Sequence, residues 1–133
     1  MILRTIVVRD YMTRGLVTLT PQTEILRALH TLIEKDIAGA PVVDESGTVI
    51  GMLTERDCMQ VALNATYHSE YGGVVADFMA KPAVSISPDE GLVDVVKRFI
   101  DTSYHRYPVV ENGRLVGLIS RRDVMRALGE AWQ

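Results

Sequence analysis

Gly51-Met52-Leu53-Thr54-Glu55-Arg56-Asp57 and Gly117-Leu118-Ile119-Ser120-Arg121-Arg122-Asp123 are two versions of one heptapeptide. Each opens on glycine, turns apolar, reaches a hydroxyl and places a carboxylate three positions after it. This reads as a strand running into a helix, with Thr54 or Ser120 suited to the N-cap and the Asp in the first turn. Twin junctions predict a duplicated unit, and the self-match extends outward from them. At an offset of 67 residues, Asp10-Tyr11-Met12 returns as Asp77-Phe78-Met79, Thr20-Pro21 as Ser87-Pro88, and Pro41-Val42-Val43 as Pro108-Val109-Val110. The offset is 66 at the heptapeptides, one residue having been lost in the turn between. One internal repeat accounts for nearly the whole chain.

Each copy reads strand, helix, strand, strand, helix. Val17-Thr18-Leu19 and Val84-Ser85-Ile86 are short extended pieces. Thr20 and Ser87 are suited to N-cap a first helix that begins on Pro21 or Pro88, and Glu90 completes a capping box in the second copy. Ile25, Leu26, Ala28, Leu29, Leu32 and Ile33, matched by Leu92, Val93, Val95, Val96, Phe99 and Ile100, recur with a helical period and are expected to face the core. Residues 41–43 and 49–53 predict an antiparallel pair. Its counterpart turns through Glu111-Asn112-Gly113, where Asn-Gly favours a two-residue hairpin. Second helices are expected at about 55–63 and 121–128, and residues 64–73, which end on two glycines, as a linker. The expected organisation is a first repeat at 7–63, the linker at 64–73 and a second repeat at 74–128, of α/β (α+β) class.

Composition narrows the function. A chain of 133 residues with 47% hydrophobic content is too apolar to be a disordered tail and too short for a large multidomain enzyme. Fourteen Lys and Arg against seventeen Asp and Glu give a net charge of −3 and no cationic field, so nucleic acid is not an expected partner. Residues 1–74 carry 6 basic and 9 acidic side chains, whereas 75–133 carry 8 of each, so an anion site should draw on the second half. The single cysteine, Cys58, can form no intramolecular disulfide, and with six methionines it suits a reducing, cytoplasmic setting. Charges interrupt Met1 to Asp10 before an apolar signal core can form, and no apolar run approaches membrane-spanning length, so neither a secretory signal nor a membrane contact is expected.

The whole repeated order is Met near the start, Thr/Ser-Pro, a Pro-Val-Val strand and Gly-x-x-Thr/Ser-x-x-Asp. It resembles a tandem pair of cystathionine-β-synthase-type (CBS) domains, a Bateman module, over about residues 7–128. The resemblance implies two β-α-β-β-α repeats packed as a pseudo-twofold pair, with clefts for an adenosine-containing ligand such as AMP, ADP, ATP or S-adenosylmethionine. It also implies a homodimer of such pairs and a separate regulated protein, since no output domain is expected within the chain. No cofactor is required.

Two roles stay open for Asp57 and Asp123. Thr/Ser-x-x-Asp is close to a capping box, in which the carboxylate serves only the helix start. An ionised Asp at a helix N-terminus can also accept from two neighbouring hydroxyls, which a ribose diol supplies, and the free amides favour a phosphate. The resemblance implies the ribose role. Ser103-Tyr104-His105-Arg106-Tyr107-Pro108 replaces Asp36-Ile37-Ala38-Gly39-Ala40-Pro41 and introduces two potential cations. In the family each cleft takes its Asp from one repeat and the segment before Pro-Val from the other. By that implication Thr54 and Asp57 share a cleft with Tyr104, His105 and Arg106, with Arg121 or Arg122 nearby. Ser120 and Asp123 share the other with Ile37, Ala38 and Arg56. The first gathers more positive charge and is expected to be the tighter site.

Catalysis is not expected. Cys58 falls on an apolar helix face beside Met59 and Val61, with no base paired to it. His30, His68 and His105 lack metal-ligand spacing, and no phosphate loop or nucleophile elbow occurs. The reading is a non-catalytic ligand sensor. Its alternative is a ligand-independent assembly module whose exposed helices bind another protein; Tyr67, Tyr71 and Trp132 are candidate contacts of the implied homodimer.

Overall fold

Two antiparallel hairpins carry the fold, one in each repeat. In the computed structural model, which describes residues 3–81 and 83–132, strand β1 (Gly39–Val43) pairs with β2 (Val49–Thr54), and β3 (Arg106–Glu111) with β4 (Arg114–Ser120). Val42 stands opposite Gly51 and Val109 opposite Gly117, so the two copies share one register. In the second hairpin Asn112 and Gly113 take φ of 52° and 78°, the two left-handed residues that a primed two-residue turn requires. The longer first turn is held by the Asp44 carboxylate, which accepts from the amide and hydroxyl of Ser46 at 3.0 and 2.8 Å and from the amide of Thr48 at 3.0 Å.

Four helices flank the hairpins: α1 (Ile25–Glu34), α2 (Glu55–His68), α3 (Leu92–Asp101) and α4 (Arg121–Ala131). Thr20-Pro21 and Ser87-Pro88 do not start the first helices. They form turns closed by the Thr23 and Glu90 amides on the Thr20 and Ser87 carbonyls, and the N-caps are Glu24 and Gly91 without side-chain capping bonds. Tertiary pairing accounts for the delay. Glu24 bridges to Val74 and Gly91 to Val7, which keeps both in extended backbone until one residue before the helix. The expected strands at 17–19 and 84–86 are reduced to single bridges, Leu19 to Val42 and Ile86 to Val109. Helix α2 continues through Asn64 to His68, the first half of the expected linker, and ends on Ser69 at φ 54°.

The chain forms two compact units whose boundary cuts across the repeats. One runs Val17–Ala83; the other joins the residues up to Leu16 with those from Val84 onward. The first buries Leu19, Ile25, Ala28, Leu32, Val42, Leu53, Cys58 and Val75, with Phe78 and Met79 packed against them. The second buries Val8 and Met12 with Leu92, Val95, Phe99, Tyr107, Val109, Ile119 and Val124. Each hairpin is therefore completed by the segment that opens the other copy of the repeat. Asp77 accepts the Val74 amide at 2.9 Å and Asp10 the Val7 amide at 3.0 Å, capping two short 3-10 turns that set these segments on their hairpins. Only part of the first-helix stripe is core. Ile25, Ala28 and Leu32 are buried, as are Leu92, Val95 and Phe99, whereas Leu26, Ile33 and Ile100 are exposed.

The glycine of each heptapeptide is explained by these docked segments. A Cβ on Gly51 would meet the Ala80 carbonyl and the Met79 sulfur at 2.8 Å each, and one on Gly117 the Met12 sulfur at 2.7 Å. Backbone and Met occupy the space a side chain would fill.

Candidate functional site

The strand-to-helix junctions hold the two acidic residues. Thr54 and Ser120 are extended, at φ −118° and −112°, and act as N-caps of α2 and α4. Oδ2 of Asp57 accepts from the Thr54 amide at 2.9 Å and hydroxyl at 3.0 Å, while the Asp57 amide donates back to Thr54 Oγ1 at 3.4 Å. Oδ2 of Asp123 accepts from the Ser120 amide and hydroxyl at the same two distances. The capping role is thus realised at both junctions through a single oxygen of each carboxylate, which leaves the second for other partners.

That second oxygen is where the junctions part. Oδ1 of Asp57 has no hydrogen-bond partner among the described residues, and the side chain borders a hollow of about 270 Å³ with Arg56, Gln60, Asn64, Asp77 and Phe78. Oδ1 of Asp123 faces the Thr13 hydroxyl at 3.3 Å and the Arg126 guanidinium at 3.4 Å. Thr13 and Arg126 escaped the sequence reading, although the repeat alignment holds a signal for them. Thr13 follows the Asp-aromatic-Met motif where its twin has Ala80, and Arg126 aligns with Gln60.

The other expected residues divide between the two units. Arg56 lines the hollow beside Asp57. Ile37 and Ala38 are half-buried along an apolar groove of about 700 Å³ between α1 and α2, and Ala38 accepts the Glu55 amide at 2.9 Å. Tyr104, His105, Arg106, Arg121 and Arg122 belong to the other compact unit. There Arg121 is tied to the loop before β3: its Nε donates to the Tyr104 carbonyl and its amide to the His105 carbonyl, both at 3.0 Å. Arg106 stands opposite Ser120 in the β3–β4 register, and the Tyr104 ring lies 5.3 Å from that of buried Tyr107. Arg122 is exposed on the first turn of α4.

Cys58 is buried at 7% exposure, and burial, followed by the charges of Asp57 and Glu55, pushes its thiol above the ordinary range. A thiol held protonated in this way is a poor nucleophile. Among the described residues no helix is long and apolar enough to cross a membrane.

Comparison with known proteins agrees with the repeated architecture. A family model of the CBS domain matches residues 8–64 and again 75–130. The chain is 33% identical over 125 residues to the uncharacterized protein MJ1225 of Methanocaldococcus jannaschii, covering 94% of this chain and 44% of that protein. It is 27% identical over 148 residues to the chloroplastic CBS domain-containing protein CBSX2 of Arabidopsis thaliana, covering 90% and 62%. It therefore spans less than two thirds of the length of these relatives. A crystal structure of CBSX2 in complex with AMP superposes with a TM-score of 0.86 at 30% identity, covering 96% of this chain and 98% of that one. With its motif order, its twin junctions and its matched repeats, this chain is a member of the CBS domain family and carries two CBS domains.

Proposed function

We propose that this chain is a regulatory ligand-binding module, without chemistry of its own, that takes an adenosine-containing ligand at its strand-to-helix junctions. One observation carries the reading. Asp57 keeps a carboxylate oxygen unpartnered among the described residues beside an open hollow, while its other oxygen fixes the orientation of the group through Thr54. A carboxylate aimed in this way is suited to the adjacent hydroxyls of a ribose, and the first-turn amides of α2 offer positive potential for a phosphate. The likeness to CBSX2, crystallised with AMP, makes AMP the first ligand to test, with ADP, ATP and S-adenosylmethionine after it. Tyr104, His105, Arg106, Arg121 and Arg122 are proposed as purine and phosphate contacts, with Ile37, Ala38 and Arg56 as further ligand contacts. A ligand moves a regulated partner only by binding two conformations of the module unequally.

Thermal denaturation with and without nucleotide tests the proposal. At one hundred times its dissociation constant a ligand specific to the native state adds about 2.7 kcal/mol of stability. A melting temperature unmoved by millimolar AMP, ADP, ATP and S-adenosylmethionine contradicts the reading.

An assembly role is favoured by a separate observation. Ile33 and Met59 are 68% and 67% exposed, and their repeat partners Ile100 and Met125 are 76% and 66% exposed. Both copies of the repeat thus present apolar side chains to water from the same two helical positions. We propose that a second copy of the chain covers them, which makes the ligand-binding form a homodimer.

A further inference from the structure

Asp57 and Asp123 are sequence twins with the same cap, and they differ in how far the chain itself satisfies them. At Asp123 the Thr13 hydroxyl lies 3.3 Å from Oδ1 and 3.4 Å from Oδ2, and Arg126 reaches Oδ1 at 3.4 Å. The Asp123 side chain is left only 13% exposed. Arg126 is itself anchored. The same terminal nitrogen donates to the Tyr11 carbonyl at 3.0 Å, and the guanidinium lies over the Tyr11 ring at 5.3 Å.

In the other unit the equivalent positions are Ala80 and Gln60. The backbone is the same in both: Ala80 and Met52 exchange amide bonds at 3.0 and 2.9 Å, as Thr13 and Leu118 do at 2.8 and 3.0 Å. The difference is therefore one of side chains. Ala80 has no hydroxyl to offer, and Gln60 donates to Asn64 at 3.0 Å.

We infer that Thr13 and Arg126 form an internal latch on Asp123, so that the Asp57 junction takes ligand first and the Asp123 junction takes it only after these two side chains are displaced. This rests on the reading of the junctions as adenosine sites. A carboxylate whose lone pairs are already used must lose those partners before it accepts a ribose diol, and the apparent affinity falls by the fraction of time the latch is open. Contacts of 3.3–3.4 Å are longer than full charge-assisted bonds, which makes the latch releasable.

Calorimetric titration of the full chain with AMP tests this on the wild type, on Thr13→Ala/Arg126→Gln, and on the reciprocal Ala80→Thr/Gln60→Arg; Asp57→Asn and Asp123→Asn assign the two sites. The wild type is expected to show a tighter site lost in Asp57→Asn and a weaker one lost in Asp123→Asn. Releasing the latch is expected to tighten the weaker site about tenfold and leave the tighter one unmoved, while installing it weakens the tighter site about tenfold. Each exchange imports residues the twin repeat already uses, and Thr13→Ser, which keeps the hydroxyl, is expected to retain wild-type affinities. If the wild type binds AMP and neither exchange moves either site in melts that stay cooperative, the latch is overturned alone. If no protein in the series binds AMP, ATP or S-adenosylmethionine, the adenosine reading and the latch fall together.

Discussion

Thr54 and Asp57 hold each other through three hydrogen bonds: the Thr54 amide and hydroxyl donate to Asp57 Oδ2 at 2.9 and 3.0 Å, and the Asp57 amide donates to the Thr54 hydroxyl oxygen at 3.4 Å. The pair closes the start of α2 and at the same time aims Oδ1, which has no hydrogen-bond partner among the described residues. Thr54→Ala removes the hydroxyl from both sides of this exchange. It is expected to cost about 1 kcal/mol, as loss of an N-cap does, and to lower the melting temperature by roughly 4 °C in a chain of this size. Thr54→Ser is expected to be near neutral, because Ser120 makes the same bonds in α4. Differential scanning calorimetry of both variants checks the pair.

Gly51 and Gly117 are expected to respond differently to alanine. At Gly51 the new Cβ meets a backbone oxygen, that of Ala80, at 2.8 Å; at Gly117 the nearest atom is the movable sulfur of Met12 at 2.7 Å, with the Thr13 carbonyl at 3.0 Å. Overpacking costs typically about 1–3 kcal/mol, so Gly51→Ala is expected near the top of that range and Gly117→Ala near the bottom. Urea midpoints of the two variants measure the ordering, and equal costs contradict it.

What could be read from the sequence followed distance along the chain. The hairpins, the Asn112-Gly113 turn and the Thr54 and Ser120 caps are fixed by residues within a few positions of one another, and all formed as expected. The starts of α1 and α3 were misplaced because Glu24 and Gly91 are held extended by Val74 and Val7, partners that no local pattern names. The latch on Asp123 was invisible for the same reason: Thr13 lies 110 residues away in sequence. Repeat self-similarity shows that two copies of a segment exist, but not which hairpin each packs on. The contrast between Asp57 and Asp123 depends on that packing, because Ala80 has no hydroxyl where Thr13 has one.

The first turn carries an acid-sensitive group. Hydrogen bonds from the Ser46 hydroxyl, then the Thr48 amide, hold the Asp44 carboxyl below its ordinary value. A lowered folded pKa means stability that is present above the unfolded value of about 3.9 and is lost as the pH falls through the folded one. Asp44→Asn is therefore expected to be less stable than wild type at pH 6, with the gap closing on acidification below about pH 3.9. Chemical denaturation at pH 6 and pH 3 reads the difference, and a gap that widens in acid contradicts the assignment.

Met59 and Met125 occupy one position in the two repeats and are both exposed. If a second copy covers them, Met59→Glu/Met125→Glu buries two charges in the interface and is expected to shift the chain to a monomer. Light scattering at micromolar concentration measures the mass. A wild type that is already monomeric contradicts the homodimer.

Isothermal titration of the wild type and of Asp57→Asn with AMP addresses the ribose role of Asp57 directly. The substitution leaves the fold's cap acceptor in place and removes the charge that would receive the diol. The account predicts saturable AMP binding to the wild type and at least a tenfold loss of the tighter site in the variant, with cooperative unfolding retained. Equal AMP affinity in the two proteins would show that Asp57 only caps its helix, and would contradict the account.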